Sequence, residues 1–149
     1  MSSPTAPKPT ILIVDDEEDV RYSLTELLRD DYGTLEAKDG LEALDVIRQK
    51  GTEIDVVLLD IRMPALDGEQ VLMKAKEIID IERELSFIMV TAFDDVKKAF
   101  QFTSYHWGAY DYITKPYRNE DILQAISKAL QRRQKKWGDR KHVMGPTQL

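Results

Sequence analysis

Five times along this chain, a short apolar run is followed by a stretch whose apolar residues recur every three or four positions. Ile11 to Val14 precedes DDEEDVRYSLTELLRD, in which Val20, Leu24, Leu27 and Leu28 share one helical face. Thr34 to Ala37 precedes a segment from Gly40 with Leu41, Leu44, Val46 and Ile47, and Gly33 and Gly51 punctuate the pattern. Asp55 to Asp60 precedes a helix predicted over Gly68 to Asp80, striped by Val71, Leu72, Ala75, Ile78 and Ile79. Phe87 to Val90 precedes one over Asp94 to His106, and Tyr110 to Thr114 precedes one from Asn119 with Ile122, Leu123, Ile126 and Leu130. Runs that are apolar throughout suit strands buried on both faces, and strict alternation with helices implies right-handed crossovers. The predicted fold class is therefore α/β, a doubly wound five-stranded parallel sheet.

In such sheets ligands bind beyond the carboxyl ends of the strands, where the strand order reverses. Strand one runs into Asp15 and Asp16, strand three ends on Asp60, strand four on Thr91, and strand five on Thr114, Lys115 and Pro116. Three carboxylates gathered in one crevice repel one another, so they need a cation or raised pKa values. With oxygen donors and no cysteine in the chain, the set suits a hard divalent ion, Mg²⁺, with Mn²⁺ as a substitute. The formal net charge of −6 argues against a general affinity for nucleic acid or anionic lipid. No apolar run approaches the roughly 20 residues of a membrane span, and the first nine residues, rich in proline and serine, read as a disordered lead-in rather than a signal peptide. The expected location is the cytoplasm.

Val14-Asp15-Asp16, Leu59-Asp60-Ile61-Arg62-Met63-Pro64 with Asp67-Gly68, Val90-Thr91-Ala92, and Asp111 to Pro116, in this order and after these strands, resemble the receiver domain of bacterial two-component response regulators. The resemblance runs from about Ile11 to Leu130 and implies a flavodoxin-like sheet of order 2-1-3-4-5. It implies that Asp60 accepts a phosphoryl group from a histidine kinase or phosphotransfer protein. Asp16, Asp60 and the Arg62 backbone carbonyl would hold Mg²⁺, with Asp15 acting through water. Thr91 would hydrogen-bond the phosphoryl group, Lys115 would pair with it, and the Lys115-Pro116 bond would be cis. Tyr112 resembles the family's switch aromatic, which turns inward as the threonine moves. The domain would assist its own Mg²⁺-dependent phosphorylation and dephosphorylation without being an enzyme, and its output would be a changed interaction with a downstream protein. A phosphorylation-dependent homodimer through the fourth helix, fifth strand and last helix belongs to the same picture.

Two side chains beside the site are expected to overhang its entrance and limit access of water: Arg62, two residues after Asp60, and Phe93, two after Thr91. The segment from Asp94 to Gly108 is about two residues longer than the family pattern and holds Phe100, Phe102, Tyr105 and Trp107, which either pack on the sheet or form a partner surface. The domain is expected to span 10–131. Residues 132–149, a tail or helix extension, carry six basic residues against one acid and no complete DNA-binding module. Competing readings are a receiver-like module not controlled by phosphorylation, a flavin binder, the receiver part of a larger regulator, and a dehalogenase-like phosphatase. The last places its nucleophile after the first strand as Asp-x-Asp, which the adjacent Asp15-Asp16 does not match.

Overall fold

Strands apolar at every position can bury both faces only between two helical layers, and that is where the central strands lie. The computed structural model describes residues 7–78, 85–92 and 110–144, of which 133–144 are described by their backbone. Within these, the order is β1 (Thr10–Val14), α1 (Glu18–Leu28), β2 (Gly33–Ala37), α2 (Gly40–Lys50), a 3₁₀ turn (Gly51–Glu53), β3 (Val56–Asp60), α3 (Gly68–Ile78), β4 (Ser86–Ala92), β5 (Asp111–Lys115) and a C-terminal helix (Asn119–Met144). The five strands form one parallel sheet in the order β2-β1-β3-β4-β5. Fold class and strand order are as the sequence and its resemblance imply.

Alternation along each strand sorts the core into two halves. Leu12, Val14, Val57, Leu59 and Met89 meet Ala43, Leu44 and Ile47 of α2 and Val71, Leu72 and Ala75 of α3. Ile11, Ile13, Val56, Leu58 and Ile88 meet Leu24 and Leu28 of α1 and Ile122, Ala125, Ile126 and Ala129 of the C-terminal helix. A one-residue slip of β1 or β3 would exchange the two halves and misfit both, so the register of the strands that carry the acids is tightly specified.

The element ends differ from the sequence expectation in informative ways. Gly33 opens β2, where the sequence pattern places a break, and its N–H donates to the Pro9 carbonyl at 2.9 Å. β4 runs on through Thr91 and Ala92, and β5 through Lys115, because these residues pair with each other across the two strands. The C-terminal helix continues past residue 131 to Met144, which is the helix extension among the two forms expected for that segment, and the Arg132 guanidinium sits 4.9 Å over the Tyr110 ring. The helix expected over Asp94 to His106, with its aromatics and Phe93, lies outside the described residues. Among the described residues no helix is long and apolar enough to cross a membrane.

Candidate phosphoacceptor site

β1 and β3 are neighbours at the centre of the sheet and end at the same level, which carries Asp15 and Asp60 into one crevice. Both carboxylates are held alike. Asp15 Oδ1 accepts the Glu17 N–H at 2.9 Å, and Asp60 Oδ1 accepts the Arg62 N–H at 3.3 Å. Their Oδ2 atoms turn the other way, each 3.5 Å from the Lys115 ammonium. Asp16, exposed on the rim, completes a group of three in which one carboxylate oxygen from each residue lies within 4.8 Å of the others. A close cluster of hard oxygen donors with charge to neutralise fits a small divalent cation.

Asp60 is only 6% exposed. Burial pushes its pKa up to about 6, and Asp15 and Asp16 push the same way, while Lys115 and the Arg62 N–H act against them. For Lys115, burial works to discharge the ammonium, but the carboxylates of Asp60 and Asp15 more than offset it, and its pKa is raised. The lysine is therefore firmly cationic.

Asp60 leads into a loop that is closed back on itself. The Gly68 N–H donates to the Ile61 carbonyl at 2.8 Å, and Ile61 donates to Val90 at 3.0 Å. Asp67 caps α3 by accepting the Gln70 N–H while the Gln70 side chain accepts the Asp67 N–H, a reciprocal box that fixes where the helix starts. Between them Leu66 donates to the Pro64 carbonyl at 2.8 Å around Ala65, whose φ is 67°. This is a γ-turn with an L-residue in the left-handed region, which costs about 1–2 kcal/mol. Ala65→Gly is expected to raise the denaturation midpoint by an amount worth about 0.5–1 kcal/mol. A midpoint that falls or stays put contradicts the strain.

Thr91 is 1% exposed, and its hydroxyl donates to the Ala92 carbonyl at 3.2 Å. It pairs with Thr114, while Tyr112, two residues earlier on β5, pairs with Met89. By alternation Thr91 and Tyr112 stand on the same face of the sheet. Tyr112 is half-buried against the α2/α3 half of the core and borders an open cleft of about 320 Å³ between β5 and the C-terminal helix. The Lys115-Pro116 peptide is cis. Arg62 contributes its N–H to Asp60, and its side chain is exposed; Phe93, its expected companion at the entrance, lies outside the described residues.

Two contributors escaped the sequence reading. Tyr117 packs half-buried on the α1 side, its hydroxyl pKa raised by burial, lowered by Lys115, and raised again by Asp15 and Asp60, so it stands within electrostatic reach of the site. Arg21 donates from Nη1 to the Asp15 backbone carbonyl at 2.7 Å. Tyr117 follows the Lys-Pro pair by one residue, a local signal that could have been noticed; the Arg21 contact has no local signal.

The fold agrees with what known proteins show. A family model for the response regulator receiver domain matches residues 11–127. The chain is 41% identical over 123 residues to the positive alginate biosynthesis regulatory protein of Pseudomonas aeruginosa, covering 80% of this chain and 46% of that protein. It is 33% identical over 121 residues to sporulation initiation phosphotransferase F of Bacillus subtilis, covering 80% and 92%. Among solved structures, a response regulator receiver domain protein from Clostridium thermocellum superposes with a TM-score of 0.77 at 30% identity, covering 85% of this chain and 97% of the other. The chain thus spans about half the length of the alginate regulator and nearly all of the two shorter proteins. With its fold, its strand-end acids and a family match over most of its length in agreement, this chain belongs to the response regulator receiver domain family.

Proposed function

We propose that Asp60 is the phosphoacceptor of this receiver domain, and that the acidic crevice and Lys115 promote the transfer. Receiver domains are signalling modules that bind Mg²⁺ at an acidic pocket and interact with histidine kinases and output domains. The observation that carries the assignment to Asp60 is its position: a carboxylate 6% exposed at the end of the central strand, with a lysine 3.5 Å away that also touches Asp15.

In the transfer, a carboxylate oxygen of Asp60 attacks phosphorus in line, an acyl phosphate O–P bond forms, and the P–N bond of a phosphohistidine donor breaks. The imidazole leaves with the electron pair. Asp16, Asp60 and the Arg62 carbonyl would hold Mg²⁺, with Asp15 acting through water; when bound, the ion neutralises charge on the carboxylates and on the transferring phosphoryl oxygens. Lys115, kept cationic by the same carboxylates, supplies a second positive charge at the Asp60 side.

The product carries about two negative charges and three acceptor oxygens on Asp60. Lys115 then exchanges a carboxylate partner for a phosphoryl one, and the Thr91 hydroxyl donates a hydrogen bond to a phosphoryl oxygen. Thr91 and Tyr112 share a sheet face on adjacent strands, which supports a relay from the crevice to the surface beside β5 and the C-terminal helix. Phosphorylation can shift that surface only by its differential interaction with two accessible states. The downstream protein partner, and a homodimer formed through the fourth helix, β5 and the C-terminal helix, are read as responses of that surface. Placement of the protein in the cytoplasm accords with its expected kinase partner.

Incubation with Mg²⁺ and acetyl phosphate is expected to add one phosphoryl group to the wild type, read as intact mass, and none when Mg²⁺ is chelated. Followed over time, the same preparation reads the lifetime of the product, which Arg62→Ser is expected to shorten by exposing the acyl phosphate to water. A wild-type protein that gains no mass with this donor contradicts the proposal.

A further inference from the structure

The loop between β1 and α1 presents Asp15 and Asp16 to the crevice, and the backbone of Asp15 is held from two sides. Its N–H donates to the Ala37 carbonyl at the end of β2, at 3.2 Å. Its carbonyl accepts Arg21 Nη1 at 2.7 Å, shorter than the 2.9 Å bond from the Glu17 N–H to the Asp15 carboxylate in the same loop. Arg21 reaches back from the first turns of α1, and its Nε donates at 3.1 Å to Oε1 of Glu36 on β2. One guanidinium thus joins three pieces of chain: the acidic loop, the helix that follows it and the edge strand beside it.

The side chain of Arg21 is 14% exposed, whereas that of Glu36 is 45% exposed. This separates it from the surface ion pairs elsewhere, such as Arg48 with Asp45, which are exposed at both ends. A planar guanidinium can aim two N–H groups at two acceptors at once, one a backbone carbonyl and one a carboxylate, in a fixed angle. An ammonium cannot keep both directions.

We propose that Arg21 is a positioning residue for the acidic crevice. It holds the Asp15 carbonyl so that the carboxylates of Asp15 and Asp16 face Asp60 in the free protein, and Glu36 holds Arg21 in turn. The proposal rests on the reading of Asp15, Asp16 and Asp60 as a divalent-cation site. Without Arg21 the loop keeps its sequence and its acids but loses the bond that fixes their direction. Removing outer-shell partners of this kind typically weakens cation binding by about 10–100-fold.

The test is a Mg²⁺ titration of the folded full chain, followed by the amide resonances of Glu17 and Arg62, whose N–H groups bond the two buried carboxylates. Thermal unfolding of each variant is measured alongside. Arg21→Met is expected to weaken Mg²⁺ binding roughly tenfold at a temperature where it is fully folded. Arg21→Lys is expected to restore the charge but only part of the affinity. Glu36→Gln is expected to weaken binding a few-fold, and Arg48→Met to leave it unchanged. A purely structural arginine would lower the unfolding temperature and leave the affinity as it is. Affinities in Arg21→Met and Glu36→Gln equal to wild type overturn the proposal. If Arg21→Met does not fold, Glu36→Gln and Arg21→Lys decide it on the same criterion. A wild-type chain with no saturable response to Mg²⁺ overturns the cation site itself, and the Arg21 proposal with it.

Discussion

Asp60→Asn is expected to stabilise the metal-free protein at pH 7.5 by an amount on the order of 2 kcal/mol. Burial and the two neighbouring acids raise the pKa of Asp60 from 3.8 to about 6. Between those values the folded protein keeps a proton that the unfolded chain has released. The folded state then binds more protons than the unfolded one, so the wild type loses stability as pH rises through this window. Below about 4 both states are protonated and the penalty is absent; above about 6 both are ionised and it is complete. Asparagine has no such titration. The advantage of the variant should therefore open between pH 4 and 6, then level off, as measured by denaturant unfolding across pH. Added Mg²⁺ should shrink it, because a ligand that binds the folded wild type more tightly than the variant raises the stability of the wild type by mass action. A variant no more stable than wild type at pH 7.5, or an advantage independent of pH, contradicts the account of Asp60 as a charge held at a cost.

Gly68→Ala is expected to destabilise the protein by about 1–3 kcal/mol and to slow phosphorylation of Asp60. A Cβ at this position would stand 2.6 Å from the Asp60 carbonyl oxygen and 2.8 Å from the Ile61 Cα. Both are backbone atoms of the phosphoacceptor segment, so no side-chain rotation relieves the clash. The loop must open, and the bond from the Gly68 N–H to the Ile61 carbonyl goes with it. Gly51→Ala is the matching control, since the nearest atom there is 3.8 Å away on a side chain and the backbone is helical. That variant should be neutral or slightly stabilising. Equal effects in the two variants, read by unfolding and by intact mass, would remove the close approach as the cause.

The site was legible in the sequence to the extent that its residues sit at the ends of strands. Asp60 stands out because four apolar residues lead directly into a carboxylate, and Asp15 and Thr91 follow their strands in the same manner. A parallel sheet then brings those ends together without further information. The burial of Asp60 and the bridging position of Lys115 follow from that convergence. What the sequence did not show depends on contacts between distant residues. Arg21 and Glu36 meet only because α1 packs beside the edge strand, and nothing in either neighbourhood announces it. The ends of β4 and β5 lie beyond the apolar runs because Ala92 and Lys115 are held by pairing with each other, not by their own preferences. Ala65 gives no sign of a left-handed backbone, since alanine usually favours the right-handed one. Asp39 and Asp67 were equally inconspicuous as caps, although Asp39 accepts the Glu42 N–H at 2.8 Å and fixes the start of α2.

The most direct test of the central claim locates the phosphoryl group. Wild-type protein phosphorylated with acetyl phosphate and Mg²⁺ is reduced with borohydride, which converts an aspartyl phosphate to homoserine, and then digested and sequenced by mass spectrometry. The account predicts homoserine at residue 60 alone, and none in Asp60→Asn. Homoserine at Asp15 or Asp16 in the wild type, or undiminished phosphorylation of Asp60→Asn, would contradict it.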